Sequence, residues 1–514
     1  MKIETATAQS LWAATKKMPA FAKLNGDAHA DVAIVGGGIA GLTTAYMLTK
    51  AGKSVLLMDD GALASGMTQV TTAHLANAID DRYSEIERLH GTEGARLAAE
   101  SHTAAIAKIE EIVATEKINC DFERLDGYLF LGRDDKEELL DRELEAAHRA
   151  GLNDVAKVGR APLDPFDTGS CLRFPEQAQF HPLKYLAGLA RAIARDGSRI
   201  HTKTHADRID GGSKATIVCG KRTITADAVV VATNTPVNDR VAMHTKQAPY
   251  MTYVIGARVP RRSVARALYW DTEDPYHYVR LQEWQRRELD AASQKWDILI
   301  VGGEDHKTGQ ADDTDQRHSH LESWARERFP MMESVEFTWA GQVMESLDGL
   351  AYIGRNPGDE ENVFIVTGDS GMGMTHGTIA GMLLTDLILG RENRWSTLYD
   401  PARKTLRAFG EFAKETANMA LQYTDWLTGG EVSSVDEIAN DSGAVLRRGL
   451  AKIAVYRDEN GTLHECSAAC PHLGCVVHWN AAEKTWDCPC HGSRFLKTGE
   501  VINGPANSAL KPVS

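Results

Sequence analysis

Cysteine is scarce in this sequence, with eight residues in a chain of 514. Five of the eight lie within the 25 residues from Cys466 to Cys490, close to the C-terminus. A scaffold held together by disulfides would spread its cysteines through the chain, so that class of protein is excluded. The crowding of the cysteines indicates a chemical site confined to one short segment.

Several other features are missing. No apolar run reaches the length that spans a membrane, and residues 1–5 contain neither an apolar stretch nor the paired arginines of an export signal. The net charge is −14 without a block of lysine or arginine, so we expect no nucleic-acid partner. No Walker loop, paired carboxylates or Ser/His/Asp set stands out. These absences predict a cytoplasmic protein without a membrane span.

The first positive signal lies between residues 30 and 59. A buried-strand pattern at 30–35 leads into Gly-Gly-Gly-Ile-Ala-Gly at 36–41, and a helical pattern and a second strand follow. Gly36 permits the tight turn, Gly38 lets the backbone approach a pyrophosphate, and Gly41 lets the helix pack on the strand. Asp59 lies where a carboxylate accepts hydrogen bonds from a ribose. The segment predicts a dinucleotide-binding unit of Rossmann type.

The second signal is a pair of motifs in the cysteine-rich segment. Cys470-x-His472 supplies one thiol and one imidazole, and Cys488-x-x-His491 supplies another pair after a gap of 15 residues. Two thiolates and two imidazoles could hold a zinc ion. They could equally hold a [2Fe–2S] cluster, with two cysteines on one iron and two histidines on the other. Zinc does not need the additional cysteine in each motif or the His-Gly-Ser run that begins at His491.

This C-terminal segment resembles a Rieske protein of the respiratory type. The resemblance implies a [2Fe–2S] cluster with Cys470, His472, Cys488 and His491 as ligands. It also implies a disulfide between the second cysteines of the two motifs, Cys475 and Cys490. Electron transfer is the expected role of the segment.

Two positions that tune the cluster in that family differ in how well they match. Ser493 keeps the hydroxyl that donates a hydrogen bond to a bridging sulfur in the family. The family's next tuning position is a tyrosine that donates to a cysteine sulfur, and this sequence has Phe495 there. The loss of one donor predicts a reduction potential below that of the respiratory proteins.

The nucleotide-binding part resembles flavoproteins of the D-amino-acid oxidase family, in its glycine and sarcosine oxidase branch. The segment 61–68, which follows the ribose-binding acid, is similar to the segment at the same place in that family. Residues 363–377 are similar to the last flavin-binding motif of the family's sequence. The resemblance therefore implies FAD, which the glycines alone do not distinguish from NAD. The implied cofactor-binding residues are Gly36, Gly38, Gly41, Asp59, Ser65, Thr68, Gly368, Gly371, Met372 and Gly373.

The two resemblances together cover nearly the whole chain and imply an α/β fold. A Rossmann-like FAD-binding domain would carry an inserted antiparallel β-sheet substrate domain of α+β type, and a small all-β Rieske domain would follow. We expect a lead segment at 1–29, the FAD-dependent oxidoreductase at 30–400, a linking helix at 401–430 and the Rieske domain at 431–514. Within the oxidoreductase we expect FAD-binding segments at about 30–110, 175–245 and 335–400, and the substrate domain mainly at 246–334.

The resemblance implies hydride transfer from a small amine or amino acid to FAD. Single electrons would then pass to the cluster and to an external acceptor, either a protein or a quinone. Because a linked cluster can drain the flavin, a dehydrogenase is favoured over an oxidase. The catalytic residues are undetermined. Weak candidates are Tyr253, His277 and His376, with Tyr250, Tyr276 and Arg280 as further substrate-domain positions and His74 as a residue that could approach the flavin.

Two other functions remain open from the sequence. The protein could be an electron-transfer flavoprotein or a redox sensor that has no small-molecule substrate of its own. It could also modify a bulky substrate such as an RNA base, although the acidic net charge of −14 argues against RNA.

Overall fold

The computed structural model of the chain describes residues 7–164, 166–238, 243–284 and 296–513. The first six residues of the expected lead segment and residues 285–295 of the expected substrate domain lie outside this description. The helices are α1 (Leu11–Thr15), α2 (Ile39–Lys50), α3 (Tyr83–Thr115), α4 (Glu137–Arg149), α5 (Pro182–Arg195), α6 (Arg317–Arg328), α7 (Gly373–Ile388), α8 (Ser396–Tyr399) and α9 (Phe409–Gln422).

The strands form four sheets. They are β1 (Thr7–Ala8), β2 (Ala28–Val35), β3 (Val55–Met58), β4 (His74–Leu75), β5 (Glu123–Phe130), β6 (Ala156–Val158), β7 (Cys171–Gln179), β8 (Arg199–His201), β9 (Arg208–Asp210), β10 (Ala215–Cys219), β11 (Arg222–Val231), β12 (Gln247–Pro260), β13 (Leu268–Asp271), β14 (Tyr278–Glu283), β15 (Trp296–Lys307), β16 (Val335–Ser346), β17 (Tyr352–Arg355), β18 (Val363–Thr367), β19 (Ser442–Arg448), β20 (Ala451–Arg457), β21 (Leu463–Ser467), β22 (His478–Asn480), β23 (Thr485–Asp487), β24 (Arg494–Leu496) and β25 (Val501–Asn503).

A largely parallel sheet forms the nucleotide-binding part of the fold. Its strand order is β17-β18-β11-β2-β3-β8, with β10 and β9 continuing from β11, and all pairs from β18 to β8 along this order are parallel. Every residue of β3 is buried, as expected of a strand covered on both faces. Helix α2 packs against α7, and the two helices approach closely because Gly377 and Gly381 face Ile39 and Thr43. This arrangement confirms the expected Rossmann-like domain.

A long, mostly antiparallel sheet lies beside it. Its strand order is β1-β16-β12-β15-β14-β13-β5-β7-β4, with β6 paired to β7. The sheet is larger than the expected substrate segment at 246–334, because it includes β4 to β7 and β16. Strand β16 joins it through an antiparallel register with β12 over most of its length. The sheet therefore combines segments that are distant in sequence.

The C-terminal part is all-β, as expected. It consists of the three-stranded sheet β19-β20-β21 and the four-stranded sheet β22-β23-β24-β25. Trp486 and Phe495 lie fully buried between the sheets, in a core that also contains the cysteines of both motifs. The segment expected to link the domains contains α9, with short 3₁₀ turns on either side. Among the described residues, no helix combines the length and the apolar character needed to cross a membrane.

Candidate active site and cluster-binding loops

The turn between β2 and α2 can be formed only with glycine at two positions. Gly36 has a φ of 108°, and a Cβ there would collide with the carbonyl oxygen of Ala232. A Cβ at Gly41 would collide with the carbonyl oxygen of Gly36. At Gly38, by contrast, an added Cβ would meet only the Thr68 hydroxyl, at 3.1 Å. Gly36 and Gly41 therefore shape the turn, and Gly38 leaves the backbone open to the approach of a ligand.

Asp59 follows β3 and ties this turn to the next loop. Its carboxylate accepts hydrogen bonds from the backbone N–H groups of Gly37 (2.7 Å) and Gly61 (2.8 Å). Burial raises the pKa of Asp59, and the two hydrogen bonds oppose that shift. Thr68 accepts a hydrogen bond from the N–H of Ile39 at the start of α2, 3.2 Å away. These contacts hold an acid and a hydroxyl beside a helix N-terminus, the arrangement that binds ribose and phosphate.

A cavity of about 720 Å³ begins at this turn. Nine of the ten expected cofactor-binding residues line it, and the tenth, Gly41, lies behind the turn against Gly36. The loop before α7 and the first residue of that helix also line it, with Gly368, Gly371, Met372 and Gly373. The open approach at Gly38, the acid and the two helix starts fit a dinucleotide, so these residues would hold FAD.

The far end of the cavity is polar, and the sequence singles out only one of the residues described below, Tyr276. Tyr276 donates a hydrogen bond to Asp80 (2.9 Å), and the hydroxyls of Thr252 and Tyr278 are 2.7 Å apart. Asp305 also lines this end, together with Glu345 and Asp369. No motif marks these residues because they come from separate elements: the loop before α3, strands β12, β14, β15 and β16, and the loops before β14 and α7.

Burial is the main cause of the raised carboxyl pKa values at this end of the cavity. It raises the pKa of Asp80 and that of Asp305 to about 7, and neighbouring carboxyls add to both shifts. Burial likewise raises the pKa of Asp369 to about 6. All three carboxyls line the cavity, and Asp80 is exposed to it.

Of the three catalytic candidates, only His376 lines the cavity. It is fully buried, its Nδ1–H donates to the carbonyl oxygen of Asp369 (2.9 Å), and its Nε2 accepts from the N–H of Ala351 (3.5 Å). Burial lowers the pKa of His376 to about 4, so the ring is neutral near pH 7. These contacts support a positioning role, in which the ring holds the loop before α7.

The other two candidates lie outside the cavity wall. The Tyr253 hydroxyl is 3.0 Å from Nε2 of His306, in the core of the long sheet. His277 is 3.0 Å from Asp271 and stacks on Trp324 with ring centroids 4.2 Å apart. Burial alone would lower the pKa of His277, but the hydrogen bond to Asp271 and the Glu304 carboxylate, 3.8 Å from Nε2, raise it to about 9. The described contacts of His277 are those of a buried ion pair.

The remaining substrate-domain candidates separate in the same way. Tyr276 and His74 line the cavity, whereas Tyr250 and Arg280 do not. Arg280 is fully buried, and one of its amino groups donates to the carbonyl oxygens of Thr72, Ala73 and Phe180. Arg280 therefore stabilises the backbone of these segments and does not reach the cavity. Burial lowers the pKa of His74 to about 3, which makes it a neutral group on the cavity wall.

The two C-terminal motifs form a pair of adjacent loops. The imidazole rings of His472 and His491 are 4.9 Å apart, and Cys470 and Cys488 are both buried. The sulfurs of Cys475 and Cys490 are bonded, with Cα atoms 6.4 Å apart, as the Rieske resemblance implies. Ser493 is fully buried beside Cys470, and Phe495 has no hydroxyl to offer.

The donor set distinguishes the two metal centres that the sequence left open. A tetrahedral zinc ion draws its ligand atoms to about 2.0–2.3 Å from one centre, which places them within about 4 Å of one another. Among the described residues, no three of the four candidate ligand atoms lie within 4.8 Å of one another. Two thiols and two imidazoles in facing pairs fit a two-iron cluster better than a single ion.

The cluster-binding loops dock against the oxidoreductase. Gln342 of β16 donates a hydrogen bond from its amide to the carbonyl oxygen of Gly492 (2.7 Å) and accepts one from the Asn503 amide (3.2 Å). The ring of His244 lies 4.9 Å from that of His472 and 6.3 Å from that of His491. Gln342 and Asn503 also line the cavity. The cavity wall therefore touches the residue next to His491, a predicted cluster ligand.

Comparison with protein families assigns both parts of the chain. Residues 31–387 match the model of the FAD dependent oxidoreductase family, and residues 428–514 match that of the Rieske [2Fe-2S] domain. The Rieske 2Fe-2S iron-sulfur protein YhfW of Bacillus subtilis is 31% identical over 516 residues, covering 98% of this chain and 97% of that protein.

Two further similarities cover the oxidoreductase part. The gamma-glutamylputrescine oxidoreductase of Escherichia coli is 26% identical over 417 residues, which are 77% of this chain and 93% of that protein. The crystal structure of glycine oxidase from Geobacillus kaustophilus superposes with a TM-score of 0.61 at 19% identity, covering 73% of this chain and 99% of that one. The latter shows a shared fold.

Proposed function

The chain belongs to the FAD dependent oxidoreductase family and carries a C-terminal Rieske [2Fe-2S] domain, and from this premise we propose that it is an amine or amino-acid dehydrogenase. The substrate's CH–NH unit loses a hydride and a proton and becomes an imine. The two electrons leave the protein one at a time, to an external acceptor that is a protein or a quinone. When bound, FAD supplies the acceptor for the hydride and the [2Fe–2S] cluster supplies a one-electron carrier.

One observation carries this proposal: the loops for the cluster lie against the wall of the cavity. The hydrogen bond from Gln342 to Gly492 joins a cavity-lining side chain to the residue that follows His491. Asn503 extends the same contact from β25. Electrons gained in the cavity thus have a short route to the cluster ligands, without a separate encounter between two proteins.

The chain's own residues support two tasks in the cavity. Gly38, Asp59 and Thr68 bind and orient the nucleotide end of FAD. The Rieske domain contributes Val501, Asn503 and Asn507, among others, to the cavity wall. A cluster linked to the flavin site can drain the reduced flavin, which favours a dehydrogenase over an oxidase. We further propose the domain boundaries expected from the sequence, near residues 30, 400 and 430.

The relative from Escherichia coli adds support on the substrate side. Its name describes a gamma-glutamylputrescine oxidoreductase, and it aligns with 77% of this chain. An amine-bearing substrate is therefore consistent with the kind of molecule that a relative oxidises.

The test is an anaerobic mixture of the holoprotein with a panel of small amines and amino acids. Flavin absorbance and the electron paramagnetic resonance (EPR) signal of the cluster are followed together. Bleaching of the flavin followed by a reduced-Rieske signal is expected for at least one member. If every compound leaves both centres oxidised while dithionite reduces them, the protein is an electron carrier or a redox sensor and the proposal fails.

A further inference from the structure

Four carboxyl groups line the end of the cavity that lies away from the glycine turn. They belong to Asp80, Asp305, Glu345 and Asp369. In the described part of the chain, no lysine or arginine lines any part of this cavity. Several acids on one cavity wall, without a lysine or arginine among the described lining residues, favour a positively charged ligand, because a cation attracts the carboxylates and relieves the repulsion among them.

Asp80 and Asp369 lie against the loop before α7. A Cβ at Gly371 would collide with the carboxylate of Asp80, and a Cβ at Gly373 would collide with that of Asp369. Asp80 is held by the hydrogen bond from Tyr276, 2.9 Å long. Both acids are thus placed next to the segment that resembles the family's flavin motif.

Asp305 and Glu345 lie on the strands of the long sheet, β15 and β16. The Asp305 carboxyl lines the cavity, and a hydrogen bond from Thr252 opposes the rise in its pKa that burial causes. Glu345 also lines the cavity, and burial together with the neighbouring carboxyls raises its pKa well above the usual range. A cation bound between the two carboxyls would stabilise their charged forms.

Among the described residues, no lysine or arginine lines the cavity to pair with a substrate carboxylate. The sequence suggests Arg280 as a substrate-domain position. That side chain donates instead to the carbonyl oxygens of Thr72, Ala73 and Phe180, and it does not line the cavity. A carboxylate placed among the four acids would add to their repulsion.

We propose that the substrate is a diamine or polyamine, in which a second ammonium group binds Asp305 and Glu345 while the reacting amine lies towards Asp80. This inference rests on the proposed function and narrows its substrate from amines and amino acids to cations without a free carboxylate. Asp305 and Glu345 act as specificity determinants, and the reaction itself is unchanged.

The inference is tested by calorimetric binding to the dithionite-reduced holoprotein, in which no turnover occurs. The probes are 1,4-diaminobutane, butylamine and 4-aminobutanoate, which share a four-carbon chain. We expect the diamine to bind roughly tenfold or more tightly than butylamine, since one buried charged hydrogen bond is gained. The 4-aminobutanoate should bind most weakly of the three.

Variants locate the effect. Asp305→Asn and Glu345→Gln keep the size of the side chain and remove its charge, so each should erase most of the diamine's advantage and change butylamine binding little. Asp312→Asn, at an exposed carboxyl outside the cavity, is the charge-matched control. Equal binding of 4-aminobutanoate and the diamine, or an unchanged diamine preference in both variants, overturns the inference.

The same ligands separate this inference from the proposed function. Bleaching of the oxidised flavin by an amino acid that also binds better than the diamine would uphold the function and overturn the substrate class. Tight, Asp305-dependent diamine binding without bleaching by any amine or amino acid would uphold the cationic site and overturn the function.

Discussion

The side-chain amide of Gln342 donates a hydrogen bond 2.7 Å long to the carbonyl oxygen of Gly492, the residue that follows the predicted cluster ligand His491. This bond connects the wall of the cavity to the loop that binds the cluster. We expect Gln342→Ala to loosen the contact between the domains, because it removes the buried donor and leaves the carbonyl oxygen of Gly492 without this hydrogen bond. The reduction of the cluster by reduced flavin should become roughly tenfold slower. Stopped-flow absorbance with substrate or a chemical reductant measures the two phases separately.

Gln310 provides the matched control for Gln342. It also donates across the domain interface, to the carbonyl oxygen of Pro489 at 3.1 Å, but it does not line the cavity. Because Gln310 is exposed and Gln342 is buried, Gln310→Ala should weaken docking by a smaller amount and leave the cavity unaltered. If slow cluster reduction appears only in Gln342→Ala, the contact at the cavity controls the rate; if neither variant slows it, the docked interface does not carry the electrons.

Gly38 and Gly41 should respond differently to alanine. A Cβ at Gly38 meets only the Thr68 hydroxyl, so Gly38→Ala should keep the fold and lose affinity for FAD by blocking the approach of the pyrophosphate. Gly41→Ala forces a Cβ onto the carbonyl oxygen of Gly36 and should lower the free energy of unfolding by about 1–3 kcal/mol. The flavin content of the two purified variants measures the loss of FAD affinity. Thermal unfolding of the two variants without flavin measures the loss of stability. Equal thermal stability of the two variants would contradict this assignment of roles.

Diamine binding should depend on pH near neutrality. The pKa values of Asp80 and Asp305 are both raised to about 7 by burial, so these carboxyls are neutral below that pH and charged above it. A cation binds the charged form, and its affinity should therefore fall as the pH drops from about 8 to about 6, by up to tenfold per unit for each proton taken up. Calorimetry across this range measures the slope, and Asp305→Asn should reduce it. A flat profile in the unmodified protein would rule out ionisation of these acids as the source of affinity.

Phe495→Tyr should raise the reduction potential of the cluster. Phe495 is fully buried in the core of the Rieske domain and occupies the position where respiratory relatives have a tyrosine that donates to a cysteine sulfur. One regained hydrogen bond of about 0.5–1.5 kcal/mol corresponds to roughly 20–65 mV for a one-electron couple. Redox titration followed by EPR gives the value. An unchanged or lower potential would show that the new hydroxyl does not reach a sulfur.

The cofactor sites could be predicted from the sequence because each is encoded by residues close together in the chain. Gly36, Gly41 and Asp59 lie in one βαβ unit, where the turn itself requires glycine, and the structure places them as the motif implies. The two cluster loops are equally local, since each contributes one thiol and one imidazole within four residues. Spacing along the chain is sufficient for such sites.

Catalytic residues, in contrast, could not be predicted from spacing along the chain. Their chemistry and their position in the expected substrate domain make Tyr253 and His277 candidates. In the structure, Tyr253 contacts His306, His277 contacts Asp271, and neither candidate lines the cavity. Alternation along a strand does not tell which face meets the flavin. Only the packing of the two large sheets decides that Tyr276 and Tyr278 line the cavity and that Arg280 does not.

The sequence by itself determined the Rossmann-like unit and the all-β character of the C-terminal domain, and it predicts the ligand set of the cluster, because turn geometry and ligand spacing are local properties. The tertiary structure alone decided the acidic end of the cavity and the docking of the cluster loops. Asp80, Asp305 and Glu345 are separated by tens to hundreds of residues, and Gln342 meets Gly492 across 150. Such contacts depend on how whole sheets pack and not on any pattern within one segment.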